Sequence, residues 1–283
     1  MSREEEFIKG IDKLIPRPEI ALEVMTLAND GDCSIPTLSN KIKQDPSLMA
    51  NMLKLANSAY FGHMKEINSI ADIVVRLGLD TVKMLAITSA SIGVLKSPQE
   101  AYNLEPGALW RHCYATALLS AIIGRYARCE AIAPLYSAAL LHDIGKVVLN
   151  RHLQTEGMNR GDDDFTGKNI IEFERTILHT DHAQTGKALL RHWGLPDNIV
   201  TAVGHHHDTD IAKIDDVNCQ IVYLANFLTE SIGIKAVDPE NYFYRFEEAT
   251  TEMPQLPFFY DNMEAIIEEF FEKFNESSTL EFN

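Results

Sequence analysis

Basic side chains are scarce in this chain: 25 Lys and Arg stand against 41 Asp and Glu, a formal net charge of −16 at pH 7. A surface of that sign repels a phosphate backbone, which argues against direct nucleic-acid binding. Cysteines are also few. Cys33, Cys113, Cys129 and Cys219 lie far apart with no CxxC pair. That spacing excludes a disulfide framework and a thiolate zinc knuckle, and it predicts buried, reduced thiols. The N-terminus, MSREEEFIKG, lacks both the basic start and the apolar core of a signal peptide. No apolar run reads as approaching the ~20 residues of a spanning helix, so the expectation is a cytoplasmic protein without a membrane segment. Strand-like alternation is never sustained, and no internal repeat is visible. What is present is 283 residues, 46% hydrophobic and 23% charged, enough core for one large domain or two smaller ones.

The dominant period is helical, and the fold class predicted is all-α. In QDPSLMANMLKLANSAYFG, Asp45 is a natural N-cap with Pro46 at the first helical position. Leu48, Met49, Met52, Leu53 and Ala56 then recur at spacings of three and four until Gly62. Similar patterns predict helices over Pro18–Ala28, Ser34–Ile42, Ser69–Leu77 and Thr81–Leu95, punctuated by Gly31, Gly78 and Pro98. Residues 96–107 read as a boundary, and residues 155–169 as a polar surface loop. Near the C-terminus, residues 262–277 place Met263, Ile266, Ile267, Phe270, Phe271 and Phe274 on one broad face. Such a helix either caps its own domain or serves a partner.

Histidines make the sequence specific, because nine of the ten follow residue 110 and several interrupt apolar segments. In SAALLHDIGKVVLNRH, residues 137–152, an apolar run is broken by His142 and Asp143 and then resumes. Adjacent helical residues point about 100° apart, so the two reach a common ion only near a helix end, for which Gly145 is a fitting signal. His112 shares a helical face with Leu109, Ala115, Thr116 and Leu119. Alone it reads more often as a core histidine bonded to a carbonyl than as a ligand. His182 precedes another apolar helix, while His205, His206 and His207 stand together, a triplet that an exposed loop could also carry. Together, imidazoles and a carboxylate suit a divalent ion such as iron, manganese, nickel or zinc, held between converging helices.

The order His, His-Asp, His, His-His resembles the HD superfamily of metal-dependent phosphohydrolases. LIPRPEIALEVMTLAND, IKQDPSLMANMLKLANSAYFG, INSIADIVVRLGLDTVKMLA and HWGLPDNIVTAVGHHHD narrow the resemblance to its HDOD branch, over roughly residues 8–230. The resemblance implies a bacterial output domain in which an N-terminal helical part, 8–100, packs on an HD-like helical bundle, 101–233. A C-terminal extension, 234–283, follows. It also implies a metal site drawn from His112, His142, Asp143, His182, His206 and His207, with His205 pointing elsewhere.

Two departures bear on function. Active HD hydrolases complete their site with a later aspartate, and here Asn226 in IVYLANFL takes that place; a neutral amide oxygen is a weaker ligand. The Gly-Tyr-Pro signature of the cyclic-dinucleotide phosphodiesterase branch does not follow the paired histidines. The expectation is a signalling module that engages protein partners and whose site holds a metal, a nucleotide or other phosphate ligand, or nothing. The alternative is a metal-dependent phosphohydrolase of a nucleotide or other phosphate ester. There Asp143 would orient a metal-activated water and Lys146 would meet phosphate charge, unless Lys146 is simply a solvated helix-end lysine.

Overall fold

The computed structural model describes residues 2–9, 11, 15, 17–30, 32–57, 66–157, 170–208, 210, 214–234 and 258–278. Among them the chain is helical, and the sole pairing of extended backbone is an isolated bridge between Gln99 and Leu104.

Local signals start the N-terminal helices. Helix α1, Arg3–Ile8, opens with a reciprocal capping box between Ser2 and Glu5. Helix α2 is Glu19–Asn29. Helix α3, Ile35–Ile42, has Ser34 accepting from Thr37 N–H, and α4, Pro46–Ala56, has Asp45 accepting from Leu48 N–H with proline at the first position. Helices α2, α3 and α4 bury their apolar stripes on α5, Ile70–Leu95. Helix α5 is two helical stretches joined at Gly78, whose φ of 83° and ψ of 168° break the ladder; only glycine adopts that conformation cheaply. The predicted break at Gly78 is therefore present, whereas Gly62 and most of the predicted 155–169 loop lie outside the described residues.

A short 3-10 helix, Glu100–Tyr102, leads to α6, Ala108–Tyr126. The bundle continues with α7, Ile132–Leu141; α8, Ile144–Thr155; α9, Ile170–Leu178; α10, His182–Trp193; α11, Asp197–His205; and α12, Val217–Ser231. Helix α6 is buried along almost its whole length between α7, α12 and the last helix, α13, Phe258–Ser278. The N-terminal helices join the bundle where α5 packs on α7 and where α1 packs on α10 and α8. Buried apolar side chains form one continuous cluster from Phe7 to Phe270.

Two expectations change, and one open choice narrows. The stretch Ile132–Thr155 is long and apolar enough, on composition alone, to cross a membrane. In the fold it is two helices broken at His142 and Asp143, and 83% of its most apolar window is buried among the other helices. All four cysteines are free, but Cys33 and Cys129 are partly exposed, so burial holds only for Cys113 and Cys219. The C-terminal helix lies on α6 with Ile266 and Phe270 fully buried and Glu269 paired to Arg125, which makes it a cap on its own fold.

Candidate metal centre

The His-Asp doublet occupies the joint between two helices. Helix α7 ends at Leu141, His142 is its C-cap, and Asp143 is the N-cap residue of α8 with φ −96° and ψ 7°. At this joint, in a sparsely populated backbone region, the adjacent side chains meet, His142 Nε2 lying 3.4 Å from Asp143 Oδ2. Gly145 follows in the first turn of α8. A Cβ there would collide with the His182 carbonyl and come within 2.8 Å of Gly186 N. Glycine thus lets α8 touch the backbone of α10 and brings the doublet beside His182.

The other ligand candidates arrive from separate helices. His112 projects from the second turn of α6. His182 is the first residue of α10, whose start is capped by Asp181 accepting from Gln184 N–H. His206 is the C-cap of α11. Four histidines have their Nδ1 engaged: His112 with Ile234 O at 2.9 Å, His142 with Ala139 O at 2.7 Å, His206 with Val203 O at 2.6 Å, and His182 with Glu174 at 2.8 Å. An oxygen on Nδ1 fixes the proton there and leaves Nε2 as a lone pair in the neutral ring.

Those Nε2 atoms converge. His112 and His142 approach to 3.2 Å, His182 and His206 to 3.3 Å, and His182 and His207 to 3.0 Å. Asp143 lies among them. Its Oδ2 is 3.4 Å from His142 and 3.6 Å from His112, and its Oδ1 is 3.1 Å from His182 and 3.7 Å from His206. Two sets share this carboxylate: His112 and His142 on one side, and His182, His206 and His207 on the other. All are buried except His207, which is partly so. His205 turns away to pair with Asp208 at 2.6 Å.

The charge pattern suits a cation. Burial, then the neighbouring His142, pushes His112 down to about 3. Burial pushes His206 down to about 4 although Asp143 opposes it, and burial with His206 and His182 holds His207 well below the usual histidine value. Burial also opposes a charge on His182, but the Glu174 carboxylate prevails and lifts that ring to about 9. For Asp143 burial is outweighed by Lys146 and then His142, and the carboxyl stays well below its ordinary range. Facing lone pairs at these distances repel, and Asp143 Oδ1 is buried without a hydrogen bond. A proton on His182 relieves one such contact. A divalent cation at the convergence relieves several at once, so these residues fit a metal.

Lys146 is not a solvated helix-end lysine. It sits in the first turn of α8, 1% exposed, with Nζ 2.7 Å from Asp143 Oδ2. Asn226 is buried on α12, which packs on α6, α7 and α11, and its Oδ1 has no hydrogen-bond partner.

Two residues escaped the sequence reading. Glu174, fully buried on α9, accepts from the backbone N–H of His182 at 2.7 Å as well as from its ring. Tyr102, from the 3-10 helix, donates to Glu174 at 2.7 Å. The available signal was an acid on the apolar stripe of α9, in register with Ile170, Phe173 and Leu178.

A bundle of helices that gathers imidazoles around a His-Asp doublet at a helix joint defines an HD-type helical domain. The chain belongs to the HDOD domain family, whose model matches residues 14–209. Solved structures share the fold. An HDOD domain protein of unknown function from Geobacter sulfurreducens superposes with a TM-score of 0.74 at 23% identity, covering 97% of this chain and 96% of that one. A Shewanella amazonensis protein provisionally described as a metal-dependent phosphohydrolase gives 0.66 at 18% identity, covering 98% and 99%. A Marinobacter aquaeolei protein provisionally described as a signal transduction protein gives 0.62 at 20% identity, covering 92% of this chain and 59% of that one. An uncharacterized Treponema pallidum protein is 28% identical over 201 residues, which are 70% of this chain and 38% of the relative's length.

Proposed function

We propose that this chain is an HDOD signalling module whose centre holds a divalent metal ion and whose helical surface engages protein partners of a bacterial signal pathway. The observation that carries the metal is the convergence of Nε2 atoms around the buried, unbonded Asp143 Oδ1. His112, His142, Asp143, His182, His206 and His207 are the residues that would hold it. Iron, manganese, nickel and zinc all accept this donor set. The signalling role rests on family membership and on the description of the Marinobacter aquaeolei relative. The net charge of −16 favours protein surfaces over nucleic acid or an anionic membrane as partners.

Within this module the chain's own residues do structural work. Asp143 and His142 stand at the α7–α8 joint, while His182 and His206 stand at the start of α10 and the end of α11, where a shared ion would join them. Tying these ends together stiffens the bundle that carries the outer surface. Lys146 neutralises one oxygen of Asp143.

A second reading, favoured by the description of the Shewanella amazonensis relative, is hydrolysis of a nucleotide or other phosphate ester. A bound metal would supply a polarised phosphoryl oxygen and an activated water. Lys146 is already committed to Asp143, and Asn226 supplies no charge, so binding is the better-supported role. Incubating metal-reconstituted protein with cyclic and linear nucleotides and following ester cleavage tests this. The module predicts no turnover. Rates of about 1–10³ s⁻¹ that vanish in Asp143→Ala would establish the hydrolase instead.

A further inference from the structure

We infer that the centre takes a single divalent ion, on the side of Asp143, His182, His206 and His207, because Lys146 already serves as the cation of the His112–His142 side. The inference rests on the metal reading above and says where the ion goes and how many there are.

The two oxygens of Asp143 are not equivalent. Oδ2 faces His142 and His112, and it carries the Lys146 ammonium at 2.7 Å with both side chains 1% exposed. A divalent ion drawn to the same oxygen would meet that ammonium at close range, where little water screens the repulsion. Oδ1 faces His182 and His206 and accepts no hydrogen bond. Oδ2 is answered by the ammonium of Lys146, whereas Oδ1 faces only imidazoles, with which it can share an external ion.

One histidine differs from the rest. His112, His142 and, on the Oδ1 side, His206 present imidazoles backed by main-chain carbonyls. His182 is backed by the Glu174 carboxylate, which also takes its backbone N–H. A carboxylate behind an imidazole fixes its tautomer and makes the far nitrogen a stronger donor. Tyr102 holds Glu174 in place from the 3-10 helix, which Asn150 of α8 secures by accepting from Ala101 N–H. Glu174 and Tyr102 are therefore positioning residues for the ion on the Oδ1 side.

Titration of metal-free, tag-free protein with cobalt(II), read by calorimetry and by the cobalt absorption spectrum, tests this. One ion is expected in the wild type and in Lys146→Arg, and two in Lys146→Met, where the uncompensated Asp143 oxygen becomes free. Glu174→Gln is expected to weaken binding about 10–100-fold and to shift the cobalt spectrum. Tyr102→Phe should weaken it about two- to tenfold, as loss of one hydrogen bond implies. Two ions in the wild type, or wild-type affinity in Glu174→Gln, would overturn the inference and leave the metal reading standing. So would a folded Lys146→Met that still takes one ion. If Lys146→Met does not fold, His142→Ala decides: a loss of affinity as large as that of His207→Ala overturns the inference, and a smaller one supports it. No cobalt bound by the wild type or any variant would overturn both.

Discussion

Gly145 on α8 and Gly186 on α10 stand backbone to backbone: a Cβ added to Gly145 would lie 2.8 Å from Gly186 N, and one added to Gly186 would lie 3.3 Å from Gly145 N. This close crossing sets the separation of the His142–Asp143 doublet from His182. Gly145→Ala is expected to destabilise the protein by about 1–3 kcal/mol through overpacking and to weaken ion retention together with it. A chemical denaturation midpoint matching that of the wild type would contradict this role.

His205 and His206 are neighbours with opposite fates. His206 is buried beside Asp143 and His182, whereas His205 pairs with Asp208 at the surface. His206→Ala should release the ion. His205→Ala should leave metal content unchanged and shift stability by no more than about 0.5 kcal/mol. Equal metal loss in both variants would show that the triplet acts without distinction.

Asn226 is buried with its side-chain oxygen unbonded. In metal-free protein, Asn226→Asp buries an unpaired charge and should cost at least about 1–3 kcal/mol. With metal present, the added negative charge should offset that cost and tighten retention. The expected signature is a melting temperature far more metal-dependent than that of the wild type. Identical metal dependence in the two proteins would place Asn226 outside the centre.

The C-terminal helix offers a test of packing. Phe270 is fully exposed to the core and not to solvent, with Phe274 stacked on it at 5.4 Å between ring centroids. Phe270→Ala should cost about 3–5 kcal/mol in the isolated protein. Unaltered unfolding would mean that α13 is not anchored on α6.

The parts of this fold written in neighbouring residues were legible in advance. Asp45 and Pro46 start α4, Ser34 starts α3, and Gly78 breaks α5, because a cap or a left-handed glycine acts within one turn. The doublet was legible as a chemical oddity in an apolar run, but not as the joint of two helices, because no proline separates α7 from α8 and Gly145 falls inside α8. Lys146 could not be placed because its burial depends on the crossing with α10. Tyr102 and Glu174 are separated by 72 residues, and only the folded chain brings them behind His182. The polar, proline-containing sequence of residues 96–107 likewise gives no sign that Tyr102 within it is buried against Glu174.

The central claim is that the convergence around Asp143 holds a divalent metal. Elemental analysis of protein purified without an affinity tag, alongside His206→Ala, tests it most directly. The account predicts about one equivalent of a divalent transition metal per chain in the wild type and little in His206→Ala, given that removing a neutral imidazole from a small N/O donor set weakens retention. A wild type that carries no metal after reconstitution, or a His206→Ala variant that carries as much as the wild type, would contradict it.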